Sequence, residues 1–261
     1  MTSGQKTYLF HIYRQDGSSL FLHPLFPPAR VVEALEKGPL EGRYGLEPRV
    51  EALTGFRDEL YRQVEQGVRH WINDLRFIPK FLIAAGAFVA AYVFFSAVVR
   101  DPLPVIDEVV LGVAAAVITF ALLGRRDLAS RRAAKKRLDL RLVVDRIAFR
   151  ESAFVKNVEG ALHSAEGESV EQVVRRIVAP GEQGLESSLP ASGAETGLAE
   201  AAQFVRLLEQ RFNFRKLQRE ERTFRRLSGK REAGRLLSVR KVDFPLYSVY
   251  KSFKRTVSGR R

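Results

Sequence analysis

Residues 77–99 read FIPKFLIAAGAFVAAYVFFSAVV, and residues 104–124 read PVIDEVVLGVAAAVITFALLG. A bilayer core of ~30 Å takes about 20 mostly apolar residues per helix, and each run has that length. Lys80 is the only charge in the first run, while Asp107 and Glu108 stand in the opening turn of the second. Between them, Arg100-Asp101-Pro102-Leu103 leaves room for nothing but an antiparallel turn. The chain therefore reads as a mainly α membrane protein. Its centre is an antiparallel two-span transmembrane helical hairpin over 77–124, with cytoplasmic helical extensions and a small N-terminal β-hairpin. The mean hydropathy of −0.14 looks soluble only because the apolar block averages with charged flanks.

Basic residues crowd both flanks of the hairpin. Arg62, Arg69, Arg76 and Lys80 lie around its entry; Arg125, Arg126, Arg131, Arg132, Lys135, Lys136 and Arg137 follow its exit. The connecting turn has only Arg100, beside Asp101. The positive-inside rule then predicts a multi-pass protein of a bacterial-type cytoplasmic (inner) membrane, with both termini cytoplasmic. The apolar run at 7–13 is short, contains His11 and lacks a following small-residue cleavage site, so it does not read as a signal peptide. Residues 206–261 hold 18 Lys/Arg against 5 Asp/Glu, which equals the whole formal charge of +13. Such a tail calls for an anionic partner: lipid headgroups first, then an acidic protein surface, then nucleic acid.

Five segments follow from these boundaries. In residues 1–76, TYLFHIYR and SLFLHPLF flank Gln15-Asp16-Gly17-Ser18, the pattern of a β-hairpin. Alternation puts Tyr8, Phe10 and Ile12 on one face and Leu9, His11 and Tyr13 on the other. A short helix over 29–37 should stop at Gly38-Pro39, and Gly42 and Gly45 mark a loop. From Pro48, Val50, Leu53, Phe56, Leu60, Val64, Val68, Trp71 and Leu75 recur at helical spacing. That helix should run on into the first span, weakened at Gly67 and Pro79. Asp58–Arg62 and Glu65–Arg69 form i,i+4 pairs on its wet side.

After the spans at 77–124, residues 125–159 contain neither Gly nor Pro, so a long helix is expected there. It begins polybasic and then places Leu140, Val143, Val144, Ile147, Phe154, Val158 and Leu162 near one face. Helices prolonging antiparallel spans start side by side and should pack together. An amphipathic helix at 168–178 completes segment 125–178. The Gly/Pro/Ser-rich stretch 179–197 reads as a flexible linker. In segment 198–261, a basic helical tail, Leu198, Ala201, Val205, Leu208 and Phe212 have coiled-coil spacing over about two heptads. The last stretch puts Tyr247, Tyr250 and Phe253 on one helical face, with Lys251, Lys254 and Arg255 elsewhere. That is the pattern of an interfacial helix, aromatic side in lipid and basic side toward headgroups.

No residue set points to catalysis. There is no cysteine, which excludes disulfides and thiolate chemistry. His11, His23, His70 and His163 share no metal-ligand spacing, although a hairpin here is expected to let His11 and His23 face one another. No catalytic, cofactor or metal residues are expected, and the chain reads as a non-enzyme. Asp107 and Glu108 suit a helix N-terminus, where the dipole favours anions. Lys80 should snorkel to the headgroups. The pairs Gly86/Ala90 and Gly112/Ala116 suit close helix contact, either between the spans or between copies in a homo-oligomer. The expected role is a cytoplasm-facing, membrane-anchored scaffold or adaptor. The alternatives are a channel or transporter subunit, and a tethered nucleic-acid binder that stacks bases on Phe212, Phe214, Phe224, Tyr247 and Tyr250.

Overall fold

The computed structural model describes residues 6–99, 105–178, 194–212, 214, 218, 226 and 243–259. The connecting turn at 100–103, most of the 179–197 linker and most of 213–242 lie outside that set. The molecule is mostly helical, with a small sheet built largely from the N-terminal region and two helices long and apolar enough to span a membrane. It packs as two units that cut across the five sequence segments: Met1–Phe26, Lys37–Asp58 and Arg146–Arg261 form one, Pro27–Glu36 and Glu59–Asp145 the other.

In the first unit, β1 (Thr7–Tyr13) and β2 (Ser19–Leu22) form the expected antiparallel hairpin. Gly17, at φ 80°, makes the turn, a conformation that costs glycine little. Two further strands were not expected. β3 (Leu40–Tyr44) pairs parallel with β1, and β4 (Phe149–Glu151) pairs parallel with β3, giving the order β2-β1-β3-β4. Gly42 is therefore a strand residue rather than part of a loop. A side chain there would put its Cβ 2.4 Å from the Phe149 ring, so glycine lets the edge strand's aromatic lie flat on β3.

β1 is buried on both faces, as inner strands with parallel neighbours are. Tyr8, Phe10 and Ile12 meet α6 (Ala153–Glu166), α7 (Val170–Val178), α8 (Ala194–Arg211) and α9 (Phe244–Gly259). Phe10, Phe154, Phe204 and Phe253 make edge-to-face contacts at the centre of this core, with centroids 5.2 to 6.0 Å apart. On the other face Phe21 stacks on Phe56 at 4.2 Å and Phe149 meets Phe56 edge-on. The coiled-coil spacing in α8 has a different use. Ala201, Phe204, Val205, Leu207 and Leu208 are all buried, a stripe too wide for a two-stranded seam and wide enough for a domain core. Residues 194–197, read as linker, already belong to α8.

The second unit holds α1 (Val31–Glu36), the later part of α2 (Val50–Leu75), α3 (Phe77–Phe94), α4 (Val105–Leu128) and α5 (Arg131–Asp145). A π-helical turn at Phe95–Val99 extends α3. The helix entering the first span is interrupted only at Arg76. Pro79 explains the break, since it has no N–H to give the Leu75 carbonyl. Gly67 is not a weak point. Its missing side chain admits α1, and a Cβ there would lie 2.8 Å from Val31 Cβ.

The long helix expected over 125–159 is divided in three. It stops after Leu128, resumes behind Ser130, whose Oγ accepts the Ala133 N–H at 3.3 Å, and ends at Asp145 before β4 and α6. The two helical prolongations do pack together. Leu60, Val64, Val68 and Ile72 of α2 are buried, as are Ala133, Leu140 and Val144 of α5. Ile72 continues the apolar face, whereas Val50 and Leu75 are exposed. Glu65 pairs across with Arg137 and Arg141, both at 2.9 Å, rather than along its own helix with Arg69.

Candidate functional site at the base of the helical hairpin

α3 and α4 pack side by side along their length. Gly112 is buried, and a Cβ on it would sit 2.9 Å from the Phe88 ring; with half-buried Ala116 it forms the seat for α3. Gly86 and Ala90 are exposed and face away from this contact, so that pair does not join the two spans. α3 supplies Ala84 to the contact instead, which is 6% exposed.

The outward surfaces of both helices are bare. Only 11% of the apolar window in the first and 6% in the second is buried within the protein. A core helix of a soluble protein would show the reverse. Glu108 lies half-buried in the first turn of α4, the position the helix dipole favours. The side chain of Asp107 is outside the described residues.

At the opposite end of the hairpin lies a charged cluster. Arg76 Nη1 donates to Asp127 Oδ1 at 2.6 Å, and Lys80 Nζ lies 3.3 Å from Asp127 Oδ2. Lys80 Nζ also donates to Asn73 Oδ1 at 3.0 Å and sits 6.0 Å from the Phe120 ring centre. Lys80 is 3% exposed, so it does not snorkel; it is buried and paired. Each charge stands at the wrong end of its own helix dipole: the lysine at the start of α3, the aspartate at the end of α4. Dipoles oppose such charges by roughly 0.3–1 kcal/mol each, so the cross-helix pairing must outweigh them. The cluster binds the two helix ends together and leaves no buried charge bare.

In the sequence Arg76 and Lys80 stand out as topology signals, and Lys80 as a snorkelling side chain, but no motif there singles out Asp127. A signal was present: Arg76 and Asp127 are equidistant from the four-residue turn at 100–103, which is where an antiparallel hairpin brings residues level.

The polybasic stretch divides into two groups. Lys136 pairs with Glu36 and lies over the Trp71 ring, and Arg137 forms an ion pair with Glu65, so both serve the helix packing. Arg125, Arg126, Arg131, Arg132 and Lys135 are exposed, and none pairs with an acid among the described residues.

The expected interfacial helix is a core helix. Tyr247, Tyr250 and Phe253 of α9 are each at most 2% exposed and belong to the core of the first unit. Asp243 caps α9 through the Leu246 N–H at 3.1 Å and holds Arg14 at 2.7 Å; Arg14 also bonds Glu166. Lys251 Nζ donates to the Ile177 carbonyl at 2.9 Å, and Lys254 Nζ to Glu209 at 2.6 Å. Of the basic set only Arg255 is exposed; Lys251 and Lys254 are half-buried. With Phe214 buried as well, these rings are not free to stack on bases; Phe224 lies outside the described residues.

Two titratable groups are buried beside the hairpin strands. Strand register sets His11 opposite Phe21, not His23, and its Nε2 lies 3.0 Å from Ser19 Oγ. Burial pushes the His11 imidazolium down to about 4 from its ordinary 6.5. The unfolded chain therefore takes up the proton first, and stability held above pH 6.5 should be lost as pH falls toward 4. His11→Asn should flatten that part of the stability curve, read as denaturation midpoint against pH; an unchanged slope would contradict the assignment.

The second group is Glu159, whose carboxylate accepts the Tyr13 N–H at 2.8 Å and presses on Gly45. Burial raises its pKa, against the pull of backbone N–H groups at Tyr13, Leu46 and Gly45. Among the described residues no three His, Cys, Asp or Glu side chains group to hold a metal ion. No family model, curated protein or solved structure matches this chain.

Proposed function

We propose that this is a two-span integral membrane protein that acts as an anchored scaffold or adaptor, holding a folded domain at the surface of one side of the bilayer. The observation that carries the reading is the bare apolar surface of α3 and α4. Exposing that surface to water is costly at about 25 cal/mol per Å², and lipid removes the cost.

Chain connectivity supports a hairpin with both flanks on one side. β3 and β4 are hydrogen-bonded neighbours in a single sheet, and the whole hairpin is the chain that runs between them. A segment that leaves one sheet and returns to it crosses a bilayer an even number of times. The excess of arginine and lysine at the hairpin base makes that side the cytoplasm of an inner membrane. The exposed residues Arg125, Arg126, Arg131, Arg132 and Lys135 would meet anionic headgroups, each contributing up to about 1 kcal/mol. The arginine-rich stretch beyond α8 would be left for an acidic protein partner, held near the membrane at high effective concentration.

Alkaline carbonate extraction of cell membranes tests the anchoring. The protein should stay in the pellet and enter solution only with detergent. Release by carbonate alone would end the integral reading.

A further inference from the structure

An exposed apolar stripe runs down the outward face of α3 and does not stop where that helix meets α2. Val93, Val89, Gly86, Leu82, Ile78 and Leu75 follow one another at steps of three and four, and all are exposed. The phase survives the break at Arg76 because helical bonds persist on both sides of it. The Arg76 N–H donates to the Ile72 carbonyl at 3.2 Å, and the Lys80 N–H to the Arg76 carbonyl at 3.1 Å. Asp74, exposed, is the first charge beyond the stripe. The two cations of this turn are spent within the protein: Lys80 is buried, and Arg76 is bonded to Asp127.

The outward stripe of α4 ends sooner. Leu111, Ala114, Ile118 and Leu122 are exposed, and the next position on that face is Arg125, exposed too and followed by exposed Arg126. The Arg76–Asp127 bond sets the relative heights of the two antiparallel helices. Two residues from it on each helix, toward the connecting turn, Ile78 and Arg125 stand at about the same height. At that height α3 presents an isoleucine that is 69% exposed, and α4 presents an arginine. Leu75, 53% exposed, lies about 4.5 Å further from the turn, three residues at 1.5 Å each. Helical side chains lean toward the N-terminus of their helix, which for α4 is back toward the turn, so Arg125 reaches deeper still. No level plane separates these apolar side chains from these charged ones.

We propose that the edge of the hydrocarbon crosses the hairpin base on a slant, beyond Leu75 on α3 and short of Arg125 on α4. This leaflet then meets the hairpin with acyl chains on the α3 side and with headgroups on the α4 side. The inference rests on the reading that α3 and α4 lie in a bilayer. Continuity names the occupant on the first side, since Leu75 and Ile78 belong to the same stripe as the band that lipid covers. Charge names it on the second. Arg125, Arg126, Arg131 and Arg132 are exposed and pair with no acid among the described residues, and phosphates supply the missing charge. A level edge is costly wherever it is set. At the height of Arg125 it leaves Leu75, Phe77 and Ile78 outside the hydrocarbon; beyond Leu75 it places two arginines inside.

The test uses the full chain with one cysteine at a time: Leu75→Cys, Ile78→Cys, Leu122→Cys and Ala129→Cys. All four positions are exposed, so the changes disturb no packing. Each variant is reconstituted in bilayers of phosphatidylglycerol and phosphatidylethanolamine, and its cysteine carries a nitroxide. Collisions are read with oxygen, which concentrates in hydrocarbon, and with a neutral nickel chelate, which stays in water. Oxygen should dominate at 75 and 78, as at 122, and nickel at 129. Positions 75 and 129 differ by only one residue in height, yet the label at 75 should lie deeper by ~5 Å or more, the rise of three residues or so. Nickel dominance at 75 or 78, with oxygen at 122, would show a level edge and overturn the proposal. Oxygen dominance at 129 would overturn it from the other side. Nickel dominance at all four positions would remove the membrane reading as well.

Discussion

Asp127→Ala should lower the stability of the detergent-solubilised protein by about 3–5 kcal/mol, the cost of leaving a buried charge without its partner. Lys80 is the charge left behind. It is 3% exposed, and without the carboxylate its ammonium keeps only Asn73 Oδ1 and the face of Phe120. Arg76 loses less, because its guanidinium is 43% exposed and can turn to water or headgroups. A double replacement separates pairing from packing. Lys80→Met with Asp127→Leu removes both charges together and should recover most of the lost stability, since a buried pair adds little over well-packed apolar side chains. The unfolding midpoint in detergent reads both. An Asp127→Ala midpoint equal to the parent's would mean that water reaches Lys80 and that the cluster does not hold the helix ends.

The second large effect is expected at Gly45. A Cβ there would lie 2.2 Å from Glu159 Oε2 and 2.8 Å from the backbone Cα of Lys156. The carboxylate cannot swing away freely, because it accepts the Tyr13 N–H at 2.8 Å and is 2% exposed. Gly45→Ala should therefore cost about 3 kcal/mol, at the upper end for overpacking a tight site. Gly55→Ala is the control: nothing lies within 4 Å of its Cβ position, and it sits inside α2. That change should stabilise by up to about 1 kcal/mol through helix propensity. Chemical denaturation of the two variants distinguishes the cases; equal shifts would show that the Glu159 cradle is looser than its geometry. The raised pKa of Glu159 adds a sign. Its folded form holds the proton more tightly than the unfolded chain, so stability from this group falls as pH rises through the ordinary carboxylate value of 4.5 and above.

What the sequence disclosed depended on how local the signal was. The β-hairpin announces itself through Asp16-Gly17 between aromatic runs. The two spans do so through length and apolarity, and the short helix before Gly38-Pro39 through its stop. β3 and β4 gave no such notice. Leu40–Tyr44 reads LEGRY and Phe149–Glu151 reads FRE, with neither alternation nor a turn signal. Their pairing joins residues more than 100 positions apart, across the entire hairpin. Ser130 is a capping residue inside a stretch that otherwise favours helix, where the absence of Gly and Pro hides the break.

α9 is ambiguous in the sequence for a different reason. An amphipathic helix with tyrosines on one side and lysines on the other suits a bilayer surface and a protein core equally well. Only the tertiary partners of Lys251 and Lys254 distinguish the two. The charged cluster is half legible: Lys80 stands out as a lone charge in its run, whereas its partner Asp127 sits among the basic residues that follow the second span.

The central claim is a hairpin that crosses the membrane and returns, and the absence of cysteine makes it directly measurable. Single cysteines at Asp101, Ser187 and Ser258 would be exposed to a membrane-impermeant thiol reagent in intact cells. Position 101 should label, and positions 187 and 258 should label only after the cells are opened. Labelling of 187 and 258 with protection of 101 would invert the topology, and protection of all three until lysis would show that the hairpin does not cross.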